Sequence, residues 1–80
     1  MRVDKFLKVS RIIKRRTIAN EACDAGRVSI NGKVAKAGSE VKEGDVIEIK
    51  FGENFSKYRV LNIKESTKKE DAVQMYECLS

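Results

Sequence analysis

The sequence has no proline and no histidine, only two cysteines, and just three phenylalanines and two tyrosines as aromatic side chains. Without proline or any low-complexity stretch, nothing marks a linker or a second domain. Without histidine, and with Cys23 and Cys78 far apart, neither a zinc spacing nor a Cys-x-x-Cys redox pair can be assembled, so no metal or cofactor is expected. Cys23 falls beside Ala19 and Ala22 and reads as a small buried hydrophobe; Cys78 has no assigned role. Long apolar runs are also missing: Ile12-Ile13 and Ile18-Ala19 are typical, against the ~18 consecutive apolar residues of a spanning helix. The opening residues, with Arg2, Asp4 and Lys5, carry charge and no apolar stretch before a small-residue cleavage site, so the expectation is a cytoplasmic protein without membrane attachment. Eighty residues support one modest core, which favours a binding module over a multilayer enzyme with a substrate cleft.

What the chain does have is positive charge, and it is unevenly placed. The formal net charge is +5. Residues 1–27 hold eight cations (Arg2, Lys5, Lys8, Arg11, Lys14, Arg15, Arg16 and Arg27) against three anions (Asp4, Glu21 and Asp24), while residues 28–80 hold nine of each sign. The whole excess therefore belongs to the N-terminal third, which points to an anionic partner on that side. Arginine supplies five of the eight cations, and its planar fork suits bidentate phosphate contact. Lys14, Arg15 and Arg16 are consecutive, a repulsive arrangement that a polyanion relieves.

Val3, Phe6, Leu7 and Ile13 recur at helical spacing, and Lys5, Lys8 and Arg11 project mainly to the other side, so residues 3–9 predict a short amphipathic helix followed by a tight connection. A second helix is expected from Arg16 or Thr17 to Ala25, with Ile18, Ala22 and Ala25 on one face and Gly26 as the left-handed residue that ends it. The period then drops to two. Val28 and Ile30 flank Ser29, and Asn31-Gly32 suits a type I′ turn, which predicts a hairpin over 27–36. Glu43, Gly44 and Asp45 mark another turn, Ile47, Ile49 and Phe51 share one face of a strand, and residues 58–64 read as a further strand with Leu61 and Ile63 on one side. Thr67 and Glu70 have capping-box spacing, and Ala72, Met75, Tyr76 and Leu79 follow at helical spacing, so a C-terminal helix is predicted over 65–80. Its apolar stripe either covers the sheet or docks a partner. Gly26, Gly32, Gly38 and Gly44 recur every six residues, but no apolar face persists between them, so they are turn punctuation rather than a solenoid. The fold class is α+β: a small single domain of two short N-terminal helices on a small, mainly antiparallel sheet, with residues 1–64 forming the domain and 65–80 the C-terminal helix.

Several residues carry a family resemblance. Arg16 opens a helix with Ile18, Ala19, Ala22, Cys23 and Ala25 inside it, followed by Gly26, Arg27, the alternating Val28, Ser29 and Ile30, and then Asn31-Gly32. This pattern resembles the RNA-binding domain first described in ribosomal protein S-four. Met1, Arg2, Val3, Asp4, Lys5, Phe6 and Leu7 resemble the start of short bacterial members. With Lys8, Arg11, Lys14, Thr17, Thr67, Glu70, Met75 and Tyr76, the chain is similar to the RqcP-type ribosome quality-control factors and, more weakly, to the heat-shock RNA-binding proteins of aborted large subunits. Many members place Ser or Thr before the helix-opening arginine, where this chain has Arg15. A neutral cap is lost there and a cation gained.

The resemblance implies a non-catalytic, monomeric factor that binds large-subunit ribosomal RNA and tRNA on an obstructed large ribosomal subunit and supports alanine tailing with its partner RqcH. The expected RNA-binding residues are Arg2, Lys5, Lys8, Arg11, Lys14, Arg15, Arg16 and Thr17, about the positive N-terminus of the second helix, with Arg27 and Asn31 at its opposite end, where the hairpin adds contacts along a backbone or groove. Asp4 either contacts RNA or balances Lys5 or Lys8, and Asn31 serves either the turn or the RNA. Phe6 and Phe51 fall at core positions and no other aromatic lies in the basic third, so readout of folded RNA by shape and phosphate is expected rather than base stacking. Two other classes stand beside this one. The same fold often precedes RNA pseudouridine synthases, but no catalytic domain follows it in eighty residues. A protein-binding adaptor would act through the stripe from Ala72 to Leu79.

Overall fold

The computed structural model describes residues 1–63 and 74–79. Two helices, α1 (Val3–Val9) and α2 (Arg16–Asp24), precede the strands β1 (Val28–Ile30), β2 (Lys33–Val34), β3 (Val46–Phe51), β4 (Asn54–Val60) and β5 (Tyr76–Cys78). The strands form one antiparallel sheet in the order β2-β1-β3-β4-β5. This is the expected α+β domain, with a different C-terminal element.

The helices form where the apolar spacing places them. Val3, Phe6 and Leu7 of α1 are fully buried, and Ala19 and Cys23 of α2 meet them in a single cluster with Val28, Ile47, Ile49, Val60 and Met75. The buried face of α2 is thus Ala19 and Cys23, while Ile18 is 47% exposed; of the face expected to hold Ile18, Ala22 and Ala25, only Ala22 packs partly against the core. Gly26 closes α2 at φ +72°. Arg11 takes φ +64° directly after α1, a conformation that costs a side-chain-bearing residue about 1–2 kcal/mol. It lets the chain reverse in a few residues, with the Ile13 amide donating to the Leu7 carbonyl at 3.0 Å.

In the first hairpin Ile30 pairs with Lys33, and Asn31 and Gly32 both have positive φ, +52° and +84°, as a type I′ turn requires. Ile47 and Ile49 are buried from β3, whereas Phe51, in phase with them, is 48% exposed at the strand's end, contrary to its expected core position. Strand β4 begins at Asn54, earlier than expected, because Gly52 at φ +60° turns the chain back so that Phe51 pairs with Asn54. It ends at Val60, so Leu61 and Ile63 lie past the strand.

The expected C-terminal helix is corrected at its far end. Tyr76, Glu77 and Cys78 pair with Val60, Arg59 and Tyr58 as a fifth strand, and Tyr76 meets Tyr58 edge-on with ring centres 5.3 Å apart. Pairing with an available sheet edge outweighs the helical spacing of Met75, Tyr76 and Leu79. Met75 is nonetheless fully buried. Thr67, Glu70 and Ala72 lie outside the described residues. At the other terminus, the amides of Val3 and Val41 donate to Ser39 and Met1, tying the chain's start to the loop after β2. Among the described residues no helix is long and apolar enough to cross a membrane.

Candidate nucleic-acid interface

The site is organised by a buried acid. Asp4, in the first turn of α1, is 1% exposed, and its carboxylate accepts from the Lys5 amide at 2.8 Å. The Arg2 Nε lies 3.2 Å from one oxygen, and the Arg16 Nε lies 3.4 Å from the other, which Asn20 Nδ2 approaches to 3.5 Å. Burial alone raises the Asp4 pKa, but the hydrogen bonds from Arg16, the Lys5 amide and Asn20, with the Arg16 charge, together hold it below its ordinary value. Asp4 is therefore ionised at neutral pH and balances Arg2 and Arg16. It is too deeply covered to contact RNA. Its effect is to draw together two guanidiniums fourteen positions apart, each with about half its side chain open to solvent (54% and 47%).

Beside this pair stands the N-terminus of α2. Arg15 occupies the N-cap position in extended conformation with no side-chain cap, and no acid lies in the first turn. The first ladder bond runs from the Ala19 amide to the Arg15 carbonyl at 3.1 Å, so the amides of Arg16, Thr17 and Ile18 precede the ladder and carry the helix's partial positive charge. The loss of a neutral cap expected from Arg15 is what the geometry has. A groove of about 350 Å³ lined by Asp4, Arg16, Thr17, Asn20 and Glu21 opens here.

The other expected residues are distributed around this centre. Lys8 on the last turn of α1, Arg11 and Lys14 in the connection, and Arg15 and Thr17 are all exposed, while Lys5 is half-buried. Arg27 sits past the far end of α2, exposed, beside a second cavity of about 270 Å³ that Phe51 also lines. Asn31 is taken up by the turn: its Nδ2 donates to Asp45 at 3.1 Å and its Oδ1 accepts from the Val46 amide at 3.0 Å. Sequence reasoning missed Asn20, whose only signal is its place one helical turn after Arg16, and the exposure of Phe51. The Cys23 thiol is inert at neutral pH, since burial, and then the charges of Asp4 and Asp24, push its pKa up to about 11. Among the described residues no group of three His, Cys, Asp or Glu side chains could hold a metal ion.

The S4 domain family model matches residues 1–47, both helices and the first hairpin. This chain belongs to the S4 domain family. The S4 match ends within β3, so it covers the whole basic third and the first hairpin, while β4 and β5 lie beyond it. The S4 chain is 56% identical over 77 residues, covering 96% of itself and 88% of the relative, to the RQC P-site tRNA stabilizing factor of Halalkalibacterium halodurans. It is 55% identical over its full length, and 91% of the relative's, to the protein of that name in Streptococcus pneumoniae. Among solved structures, the trimeric Heat Shock Protein 15 of Vibrio cholerae superposes with a TM-score of 0.89 at 27% identity, over all of this chain and 82% of that one.

Proposed function

We propose that this S4 domain is a non-catalytic RNA-binding factor of ribosome-associated quality control. It acts in the cytoplasm, as a monomer, on obstructed large ribosomal subunits, where it grips large-subunit rRNA and the retained tRNA and so supports alanine tailing of the stalled chain by RqcH. The observation that carries this reading is the convergence of Arg2 and Arg16 on buried Asp4, next to an uncapped helix N-terminus flanked by Arg15 and Thr17. Fixed cations and fixed amide dipoles together form a receptor for phosphate. The names of relatives matching nearly the entire chain support tRNA at the P site as the ligand.

In this reading Arg2, Arg16 and Thr17 form the centre of the interface. Lys5, Lys8, Arg11, Lys14 and Arg15 extend it, Arg27 marks its far end, and Asn31 shapes the hairpin rather than touching RNA. The protein makes and breaks no bonds; it holds two RNAs in one geometry while the partner works. The adaptor alternative is weakened because Met75 is buried and Tyr76 pairs with Val60 of β4.

The test is binding of purified large subunits carrying peptidyl-tRNA by the wild-type chain and by a variant with Arg11, Arg15 and Arg16 changed to Ala. The expected outcome is loss of binding at moderate salt, with the slope of log K against log salt reduced by roughly 0.7–0.9 for each phosphate contact removed. Sequencing of bound RNA should return large-subunit and tRNA species. Undiminished binding by the triple variant overturns the reading.

A further inference from the structure

The exposure of Phe51 gives the basic third an aromatic partner that the sequence does not reveal. Ile47 and Ile49 are fully buried on the core face of β3, and Phe51, two residues on and in the same phase, stands 48% exposed. Facing it, α2 and its C-cap residue present Ile18, Ala22 and Ala25, spaced at i, i+4 and i+7 along one side. Ile18 is itself 47% exposed. These four side chains line the 270 Å³ cavity together with two charged ones, Glu21 and Arg27. Arg27 is held against β3 by its carbonyl, which accepts from the Lys50 amide at 2.8 Å. Glu21 also lines the groove with Arg16 and Thr17, so the two depressions adjoin along α2.

The geometry points to this cavity as a receptor for a single unpaired guanine of the bound RNA. The proposal rests on the RNA-binding reading above and goes beyond phosphate readout. A base inserted here stacks on the Phe51 ring and the Ile18 side chain, an aromatic and aliphatic sandwich of the kind that holds splayed-out bases. Arg27 at the rim meets the flanking phosphate. Glu21 repels phosphate, so a second backbone contact is disfavoured at that point, and its two oxygens accept from N–H groups on a base edge. Guanine offers a ring imino and an exocyclic amino donor side by side, whereas uracil offers one imino donor between two carbonyls that the carboxylate repels. Arg16 and Thr17 lie within about two helical turns of Ile18 and Glu21 on the same helix, so an RNA held at the Arg16 groove has its next nucleotide within reach of the cavity's mouth, which favours RNA over a peptide as the occupant.

The experiment is NMR titration of the full-length, methyl- and ring-labelled chain with guanosine monophosphate, uridine monophosphate and inorganic phosphate. Guanosine monophosphate is expected to shift the Ile18, Ala22 and Ala25 methyl signals and the Phe51 ring signals, uridine monophosphate to do so at least about fivefold more weakly, and phosphate to leave them in place. Phe51→Ala should abolish the response while leaving the core Val28 and Ile47 methyl signals unmoved, Phe51→Tyr should keep it, and Glu21→Gln should narrow the preference for guanine. Absence of shifts, equal shifts with phosphate, or a Phe51→Ala chain that still responds overturns the pocket. Salt-dependent binding to large subunits, measured on the same preparation, separates the two readings: if it persists without a guanine response, the pocket alone falls, and if it is absent, both fall.

Discussion

Replacing Asp4 by Asn tests whether the cations are arranged or merely abundant. The shape is conserved and one oxygen can still accept from the Lys5 amide, but an amide group now faces the Arg16 Nε and the Asn20 Nδ2, donor against donor. Breaking a buried ion pair costs about 3–5 kcal/mol. Here Arg2 and Arg16 are about half exposed and regain water, so the expected loss is smaller, about 1–2 kcal/mol. For a domain of this size that lowers Tm by roughly 5–15 °C, readable by thermal or urea unfolding at neutral pH.

The pH dependence has a definite sign. The folded-state pKa of Asp4 lies below its ordinary value, so the carboxylate's contribution is complete above the unfolded pKa and disappears as pH falls through the folded one. The wild type should therefore lose its advantage in acid, and the gap between the two proteins should close there. RNA affinity supplies a second, opposite sign: net charge rises by one in the variant, yet binding should weaken, because Arg2 and Arg16 lose their common anchor. A variant as stable as wild type at pH 7, a gap undiminished in acid, or an affinity that rises with the charge would refute the reasoning.

Arg15→Ser supplies the missing N-cap and should stabilise the fold by about 1 kcal/mol, while RNA affinity falls and the salt slope flattens by about one phosphate's worth, ~0.7–0.9. Arg11→Gly relieves the positive φ at that residue and should raise stability by about 0.5–1 kcal/mol in urea unfolding while lowering affinity for large subunits; Arg11→Ala should lower affinity with no stabilisation. Met75→Ala should cost about 2–5 kcal/mol, measured by urea unfolding, and a negligible loss would contradict the burial of the C-terminal segment in the common core.

Local chemistry made much of this fold legible. The helices follow from apolar spacing and from Gly26, and the first hairpin from Asn31-Gly32, because each signal acts within a few residues and the tertiary structure agrees with it. The C-terminal strand was hidden because Met75, Tyr76 and Leu79 satisfy a helical period, and only the unpaired edge of β4, unknowable from that stretch alone, converts residues 76–78 into strand. Phe51 shows the complementary failure: its alternation with Ile49 is correct, but alternation reports which face a residue takes and not whether anything covers that face. The cations of the site were legible as charge. Their convergence was not, since it depends on a carboxylate whose partners lie at positions 2, 16 and 20, and on the α1–α2 connection bringing them to one point.

The confinement of the molecule's excess charge to its helical end has a kinetic corollary. Residues 28–80 balance their own charges, so the excess sits with the helices and gives the protein a dipole as well as a net charge. In the field of a polyanion it experiences torque before it touches, and rotates its helices forward while still separated by about a Debye length, ~8 Å at physiological ionic strength. Productive collisions are thereby enriched over random ones. Added salt should slow capture more than it hastens escape, and moving two of the N-terminal cations onto β4, with composition unchanged, should reduce the association rate by itself.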